Sequence, residues 1–241
     1  MTTNLILSGG VAHDFAATSA RVAELLEPLG VNSVIEEDIE TGMMALGGDN
    51  GFDLVTFNAL RWQMLDARYE ALRPTQAYSP SSQARVAFST FLRTGGALLA
   101  LHAATICFDD WSEWGEMLGA AWRWGSSSHP PLGPAHITVQ TGADPLVEGI
   151  ADFETIDEIY GFLEVADDVK PLMHSSHGGV DHPLLWKRRY GMGHVVYDAL
   201  GHNVRAYEPP SQQELIRRSA TWLLTQGSVT QQPTRSRSKM E

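Results

Sequence analysis

Three histidines stand just past strand-forming runs, and they are the first residues in this sequence that could share one chemistry. His102 follows the unbroken apolar run Ala97 to Leu101, His202 follows the run His194 to Leu200 and Gly201, and His13 comes shortly after Asn4 to Leu7. Short runs without polar alternation predict strands buried on both faces. The carboxyl edge of such a sheet is where ligands bind in open α/β folds. A fourth histidine, His129, sits in a loop stiffened by Pro130 and Pro131. Asp157-Glu158-Ile159-Tyr160 adds two carboxylates and a phenol. On a strand running through Tyr160, Asp157 and Ile159 would face one side and Glu158 and Tyr160 the other.

Imidazoles with a carboxylate can move a proton directly, or can hold zinc or another divalent transition metal. The expectation is that His13, His102, His129 and His202 gather at one pocket, with Asp157 and Glu158 on its rim. Glu158 is the expected base, and Asp157, His102 and His202 join it as catalytic residues. His102, His129 and His202 are the expected ligands if a metal is held, although no recognised ligand spacing demands one. His13, Asn58, Trp111 and Tyr160 are expected to touch substrate.

Other patterns carry less. Ser8-Gly9-Gly10 lacks the full dinucleotide fingerprint, and no lysine follows it as in a phosphate loop. His174, His177 and His182 lie among Ser and Gly at a spacing no metal motif uses, so they predict a solvated loop. Trp111, Trp114, Trp122 and Trp124 are either sugar-stacking platforms or packing residues.

The elements that must position these groups alternate. Strands are expected at Asn4–Leu7, Val31–Glu36, Asp53–Phe57, Ala97–Leu101, His136–Gln140, Phe153–Tyr160, Val169–His174 and His194–Leu200. Helices are expected up to Leu29, from Ser79 or Ser81 to Arg93, over Trp111–Leu118 and over Glu208–Leu224. A glycine turn is expected over Gly47–Gly51. Strand and helix in alternation predict an α/β fold with a doubly wound, mainly parallel sheet flanked by helices.

Length and composition bound the rest. A chain of 241 residues, 43% hydrophobic and 19% charged, can bury one full core. One domain over residues 1–226 is expected, followed by a polar, disordered tail over 227–241. A formal charge of −12 argues against nucleic acid or an anionic membrane as partner. The single cysteine, Cys107, excludes an internal disulfide and suits a reducing cytoplasm. No run reaches membrane-spanning length, and Met1 to Gly10 lacks a signal-peptide layout. The oligomeric state stays open between a monomer and a homo-oligomer.

Placed in order, these pieces resemble the trehalose-utilisation (ThuA-like) family, a branch of the flavodoxin-like, class I glutamine amidotransferase-like fold. The matching residues are His13-Asp14, Gly95-Gly96 through His102-Ala103, Trp111 and Trp114 with Leu118-Gly119, and His129. They continue with Asp144-Pro145, Asp157-Glu158-Ile159-Tyr160, Pro183 to Trp186, and Tyr190-Gly191-x-Gly193 through Gly201-His202. Two positions depart from the family: His194 stands where Arg is usual, and Asp144 where His is frequent. An amidotransferase nucleophile would be a cysteine at the sharp turn after the central strand. That turn here reads Leu101-His102-Ala103-Ala104, and Cys107 comes several residues too late. The resemblance therefore implies the fold without amidotransferase chemistry.

It also implies a role in disaccharide utilisation, with a small carbohydrate as partner and sugars oxidised at the 3-position as substrates. A 3-keto group acidifies the neighbouring C2–H. A base can take that proton, the C1 substituent leaves, and water adds back. Such a route needs one base and a group that stabilises an enediolate, a task a Lewis-acidic metal also serves. Two alternatives stay open: a non-catalytic sugar- or partner-binding module, and a two-carboxylate glycosidase, which neighbouring Asp157 and Glu158 suit poorly.

Overall fold

The computed structural model describes residues 1–48 and 51–230, with side chains up to residue 226. The elements are β1 (Thr2–Gly10), α1 (Phe15–Leu26), β2 (Val31–Glu36), α2 (Ile39–Met44), β3 (Leu54–Leu60), α3 (Arg73–Gln76), α4 (Ser82–Arg93) and β4 (Ala97–Leu101). They continue with α5 (Ser112–Leu118), β5 (Ala120–Ala121), β6 (Gly133–Val139), β7 (Phe153–Asp157), β8 (Glu164–Val165), β9 (Met173–His177), β10 (Val180–Tyr190), β11 (Gly193–Asp198) and α6 (Pro210–Thr230).

Nine strands form the central sheet in the order β2-β1-β3-β4-β11-β10-β9-β6-β7. The half that contains β2, β1, β3, β4 and β11 is parallel throughout. Beyond β11 the pairing turns antiparallel, through β10, β9, β6 and β7. Every residue of β3, β4 and β11 is buried. A strand in that state needs cover on both faces. Helices α1 and α6 touch each other and pack on β3 and β4, while α2 and α4 touch each other and pack on β1 and β11. The apolar runs of the sequence are thus the middle of a doubly wound sheet.

Local chemistry sets the element ends. The Asp14 carboxylate accepts from the Ala17 N–H to start α1, and the Ser81 hydroxyl accepts from the Ala84 N–H to start α4. Gly30 and Gly119 adopt the left-handed conformation that stops the helices before them. Gly193 answers a different need: a Cβ there would collide with the carbonyl oxygens of Leu92 and Gly96. The glycine lets β11 slide in beside β4.

Four expectations need correction. Strand β7 ends at Asp157 and does not run to Tyr160, because the Asp157 carboxylate turns back to accept its neighbour's N–H and breaks the alternation. His174, His177 and His182 are not on a solvated loop. They lie in the β9–β10 hairpin, and His182 is buried, its Nδ1 accepting from the Phe162 N–H. The strand expected over Val169–His174 begins only at Met173. Helix α6 continues through Thr230, past the expected boundary at Gly227. Residues 231–241 of the expected tail, and Asp49 and Asn50 of the expected turn, lie outside the described residues.

Both departures from the family pattern have structural work. The His194 ring packs edge-on against Trp222 of α6 at 5.5 Å. The Asp144 carboxylate caps the Leu146 N–H and pairs with the Lys187 ammonium at 2.7 Å.

Candidate functional site

The site is built at the turn after β4. His102 takes φ of +39°, a left-handed conformation that costs a non-glycine residue about 1–3 kcal/mol. The strain swings the chain into a single 3-10 stretch over His102–Ile106. Bonds from β11 and the residue after it hold it there. The Tyr197 hydroxyl donates to the His102 carbonyl at 2.8 Å, and the His102 Nδ1 sits 2.7 Å from the Ala199 carbonyl. A carbonyl can only accept, so Nδ1 carries the proton and Nε2 keeps a lone pair. That Nε2 is buried and has no partner. The Tyr160 ring covers one face of the imidazole, with centroids 4.3 Å apart.

His13 repeats the arrangement from the loop after β1. Its Nδ1 lies 3.2 Å from the Val11 carbonyl, which fixes the proton there, and its Nε2 is likewise buried and unpartnered. Its ring stands 5.1 Å from that of His102 and 4.5 Å from that of His202. Burial pushes the His13 imidazole down to about 4 and holds His102 well below the usual range. Both are therefore neutral near pH 7.

The third imidazole comes from the loop after β11. His202 Nδ1 lies 3.1 Å from a Glu158 oxygen, a contact that pairs the imidazole with the carboxylate. The Glu158 carboxylate raises His202 above its ordinary value. Burial works against the charge on Glu158, but His202, His129 and His13 outweigh it and hold the carboxyl below the usual range. One ligand atom each from His13, His102, His202 and Glu158 all lie within 4.8 Å of one another.

Asp157 ties these loops together. It is buried, with Oδ2 accepting from the Gly201 N–H at 2.7 Å and Oδ1 from the Glu158 and His202 N–H groups at 2.8 and 3.2 Å. Burial pushes its carboxyl up to about 7 despite those donors. Gly201 makes the close approach feasible. At φ of +140° it lies where a Cβ would meet the Tyr207 hydroxyl at 2.5 Å and the His102 Cβ at 3.3 Å.

The expected residues thus divide. His13, His102, His202 and Glu158 converge, and Asp157 lies beneath them as a brace. His129 stands at the rim, its Nδ1 3.5 Å from Glu158 but also 3.0 Å from the Pro130 carbonyl. His13, expected among substrate contacts, takes the place in the donor ring that the sequence reading gave to His129. Asn58 does not reach the cluster: its amide donates to the Thr18 and Ser19 hydroxyls under α1. Trp111 is also elsewhere, 7% exposed among Phe88, Phe108 and Trp114. Sequence reasoning missed the Tyr197 hydroxyl and the Ala199 carbonyl that orient His102, since neither has a signature in a strand-end segment.

Two of the four donors have the form a cation needs. Metal-bound histidines generally give their other N–H to a carbonyl or carboxylate, and they must be neutral. His13 and His102 satisfy both conditions. Leaving a buried nitrogen unpartnered costs about 1–3 kcal/mol, and the Nε2 atoms of His13 and His102 are two such nitrogens. A divalent transition metal would offset that cost, as would substrate hydroxyls.

Cys107 has no part in this. It is buried, its thiol is pushed up to about 12 by burial, and its Sγ donates to the Ala59 carbonyl at 3.1 Å.

A doubly wound, mainly parallel sheet whose carboxyl edge carries a strained histidine turn after β4 defines a flavodoxin-like, amidotransferase-like α/β fold. The family model for trehalose utilisation (ThuA) matches residues 5–223, and the chain belongs to that family. Among solved structures it is similar to a ThuA-like protein from Parabacteroides merdae, with a TM-score of 0.72 and 18% identity over 93% of this chain and 90% of that one. A cytoplasmic protein from Salmonella typhimurium matches at TM-score 0.62 and 11% identity, covering 95% of this chain and 99% of that one. A β-galactosidase from Bacillus circulans sp. alkalophilus matches at TM-score 0.55 and 9% identity, covering 95% of this chain but 31% of that one. At these identities the likeness concerns the fold. No curated protein matches the chain. Among the described residues, no helix is long and apolar enough to cross a membrane.

Proposed function

We propose that this protein is a cytoplasmic enzyme of disaccharide utilisation that cleaves 3-keto glycosides by proton abstraction, elimination and hydration. The observation that carries the reading is the convergence of two neutral imidazoles of fixed tautomer, a third imidazole and a carboxylate at the carboxyl edge of the sheet. Membership in the trehalose-utilisation family supports a disaccharide as the class of substrate.

In this reading Glu158, held ionised by its histidine neighbours, takes the proton from C2 beside the keto group. The C2–H electrons form the enediolate, the C1–O bond breaks, and the leaving oxygen takes a proton. His202, raised by Glu158 and facing the same space, is the group suited to deliver it. The enediolate electrons expel the leaving group and leave a C1=C2 double bond. Water then adds at C1 and gives its spare proton to His202, while C2 takes back the proton held by Glu158, which completes a net hydrolysis. His13 and His102 orient and polarise the keto and hydroxyl oxygens. A divalent transition metal held instead by His13, His102 and a neutral His202 would supply Lewis acidity to the same oxygens, and the leaving oxygen would then take its proton from solvent. Asp157 keeps the two loops in register, and no nucleophilic cysteine is needed.

The test incubates the purified protein with 3-keto and ordinary disaccharides, with and without chelator, beside metal analysis of the wild type and His102→Ala. Cleavage confined to the keto sugar is expected. Glu158→Gln should bind nearly as well and turn over roughly a hundredfold or more slowly. Equal cleavage of both sugars, or full activity in Glu158→Gln, would overturn the mechanism. Binding without cleavage in the wild type would make the protein a sugar-binding module.

A further inference from the structure

A second concavity lies beside the histidine cluster and has no role in the chemistry above. It has a volume of about 660 Å³; Trp122 and Trp124 offer surface to it, the buried Trp111 and Trp114 lie behind, and Arg123 and Glu164 are also in its lining. Ligand sites for small molecules fall in roughly the range 300–1,000 Å³. Its aromatic lining continues to the cluster through a chain of rings. Trp122 stands 5.4 Å from Tyr160 and 6.0 Å from His129, and Tyr160 lies on His102.

Three features say what would fit. Trp124 is 40% exposed: Trp62, Tyr69 and the Arg68 guanidinium take part of its ring and its Nε1 donates to Asp109, while the rest of the indole is open to solvent. The Trp122 Nε1 is buried and donates to nothing, a hydrogen-bond group still to be satisfied. Two of the lining acids are already paired, Glu164 with Arg123 and Asp110 with Arg85, and Asp109 and Glu116 carry the remaining negative charge of the lining. Flat aromatic faces bounded by polar groups suit a pyranose, with its C–H faces and ring of hydroxyls. Excess negative charge disfavours a phosphorylated one.

We propose that this cleft binds an uncharged glycosyl unit, and that it is the subsite for the sugar that leaves. The second clause rests on the catalytic reading above; the binding claim does not. Trp122 would then mark the boundary between the departing sugar and the ring oxidised at C3.

Trehalose and trehalose 6-phosphate serve as probes, with binding read by tryptophan fluorescence and calorimetry. The proteins are the wild type, Glu158→Gln, Trp124→Ala and Trp124→Tyr, each checked for an unchanged melting temperature. Trehalose should bind the wild type and Glu158→Gln alike. Trp124→Ala should weaken it at least tenfold and Trp124→Tyr should recover most of that loss. The phosphorylated sugar should bind at least tenfold more weakly than trehalose. A folded Trp124→Ala that binds trehalose like the wild type overturns the cleft, as does equal or tighter binding of the phosphate. If Glu158-dependent cleavage then persists, the catalytic reading survives without this subsite. Trp124-dependent binding with no cleavage of any keto sugar leaves the cleft standing and removes the catalytic reading.

Discussion

Asp157→Asn tests whether the loops of the site are held by one side chain. The exchange preserves volume, so packing is not the variable. The carboxylate has two oxygens and three N–H donors, Gly201 on Oδ2 and both Glu158 and His202 on Oδ1. A carboxamide has one oxygen. If that oxygen keeps the two-donor side, the amide NH2 meets the Gly201 N–H, donor against donor. Above pH 7, where Asp157 is ionised, a hydrogen bond to the charged group contributes about 1.5–3 kcal/mol, and an unsatisfied buried N–H adds to its loss. Relief from burying the carboxylate charge acts the other way. A net loss of about 2 kcal/mol follows, which lowers Tm by about 4–8 °C in a chain of this size. Urea unfolding measures it directly, with the slope showing whether the unfolded reference has changed. Because Gly201 precedes His202, the variant should also lose binding at the histidine cluster, read as metal uptake or keto-sugar affinity. An Asn variant with both wild-type stability and wild-type site binding would refute the brace. So would one that is more stable, since charge burial would then dominate the three hydrogen bonds.

Cys107→Ala should keep full activity on whatever substrate the protein turns over and lose only about 1–2 kcal/mol of stability, because the thiol is buried, protonated and bonded to main chain. Complete loss of activity with the fold intact would restore the amidotransferase reading. Asp198 is buried against Gln212 and the Leu200 N–H, and burial pushes its carboxyl from 3.8 up to about 7. Between those values the folded chain holds a proton that the unfolded chain has released, so stability falls as pH rises through this window. Urea midpoints at pH 5 and pH 8 should therefore differ less in Asp198→Asn than in the wild type; equal differences would remove Asp198 as a cause.

The sequence by itself determined the sheet's interior and much of the donor chemistry. Ala97 to Leu101 is apolar at every position, and a run so short behind Gly95-Gly96 fits a strand covered on both faces, so β4 and its neighbours were legible without coordinates. The histidines past β1, β4 and β11 were legible for the same reason, since parallel strands deliver their carboxyl ends to one edge. Tertiary structure alone decided which of them meet. Alternation along a strand separates Asp157 from Glu158, but β7 stops at Asp157, whose carboxylate reaches main-chain N–H groups of a loop more than forty residues away. No local pattern encodes a bond of that span. The same holds for the choice of His13 over His129 in the donor ring. Both follow from loops, and a loop side chain is aimed by what packs against it: Val11 and the His202 ring for one, Pro130 and Trp122 for the other. Periodicity fixes which face a residue takes within an element, whereas a site assembled from loop ends depends on contacts that exist only after the sheet has brought those ends together.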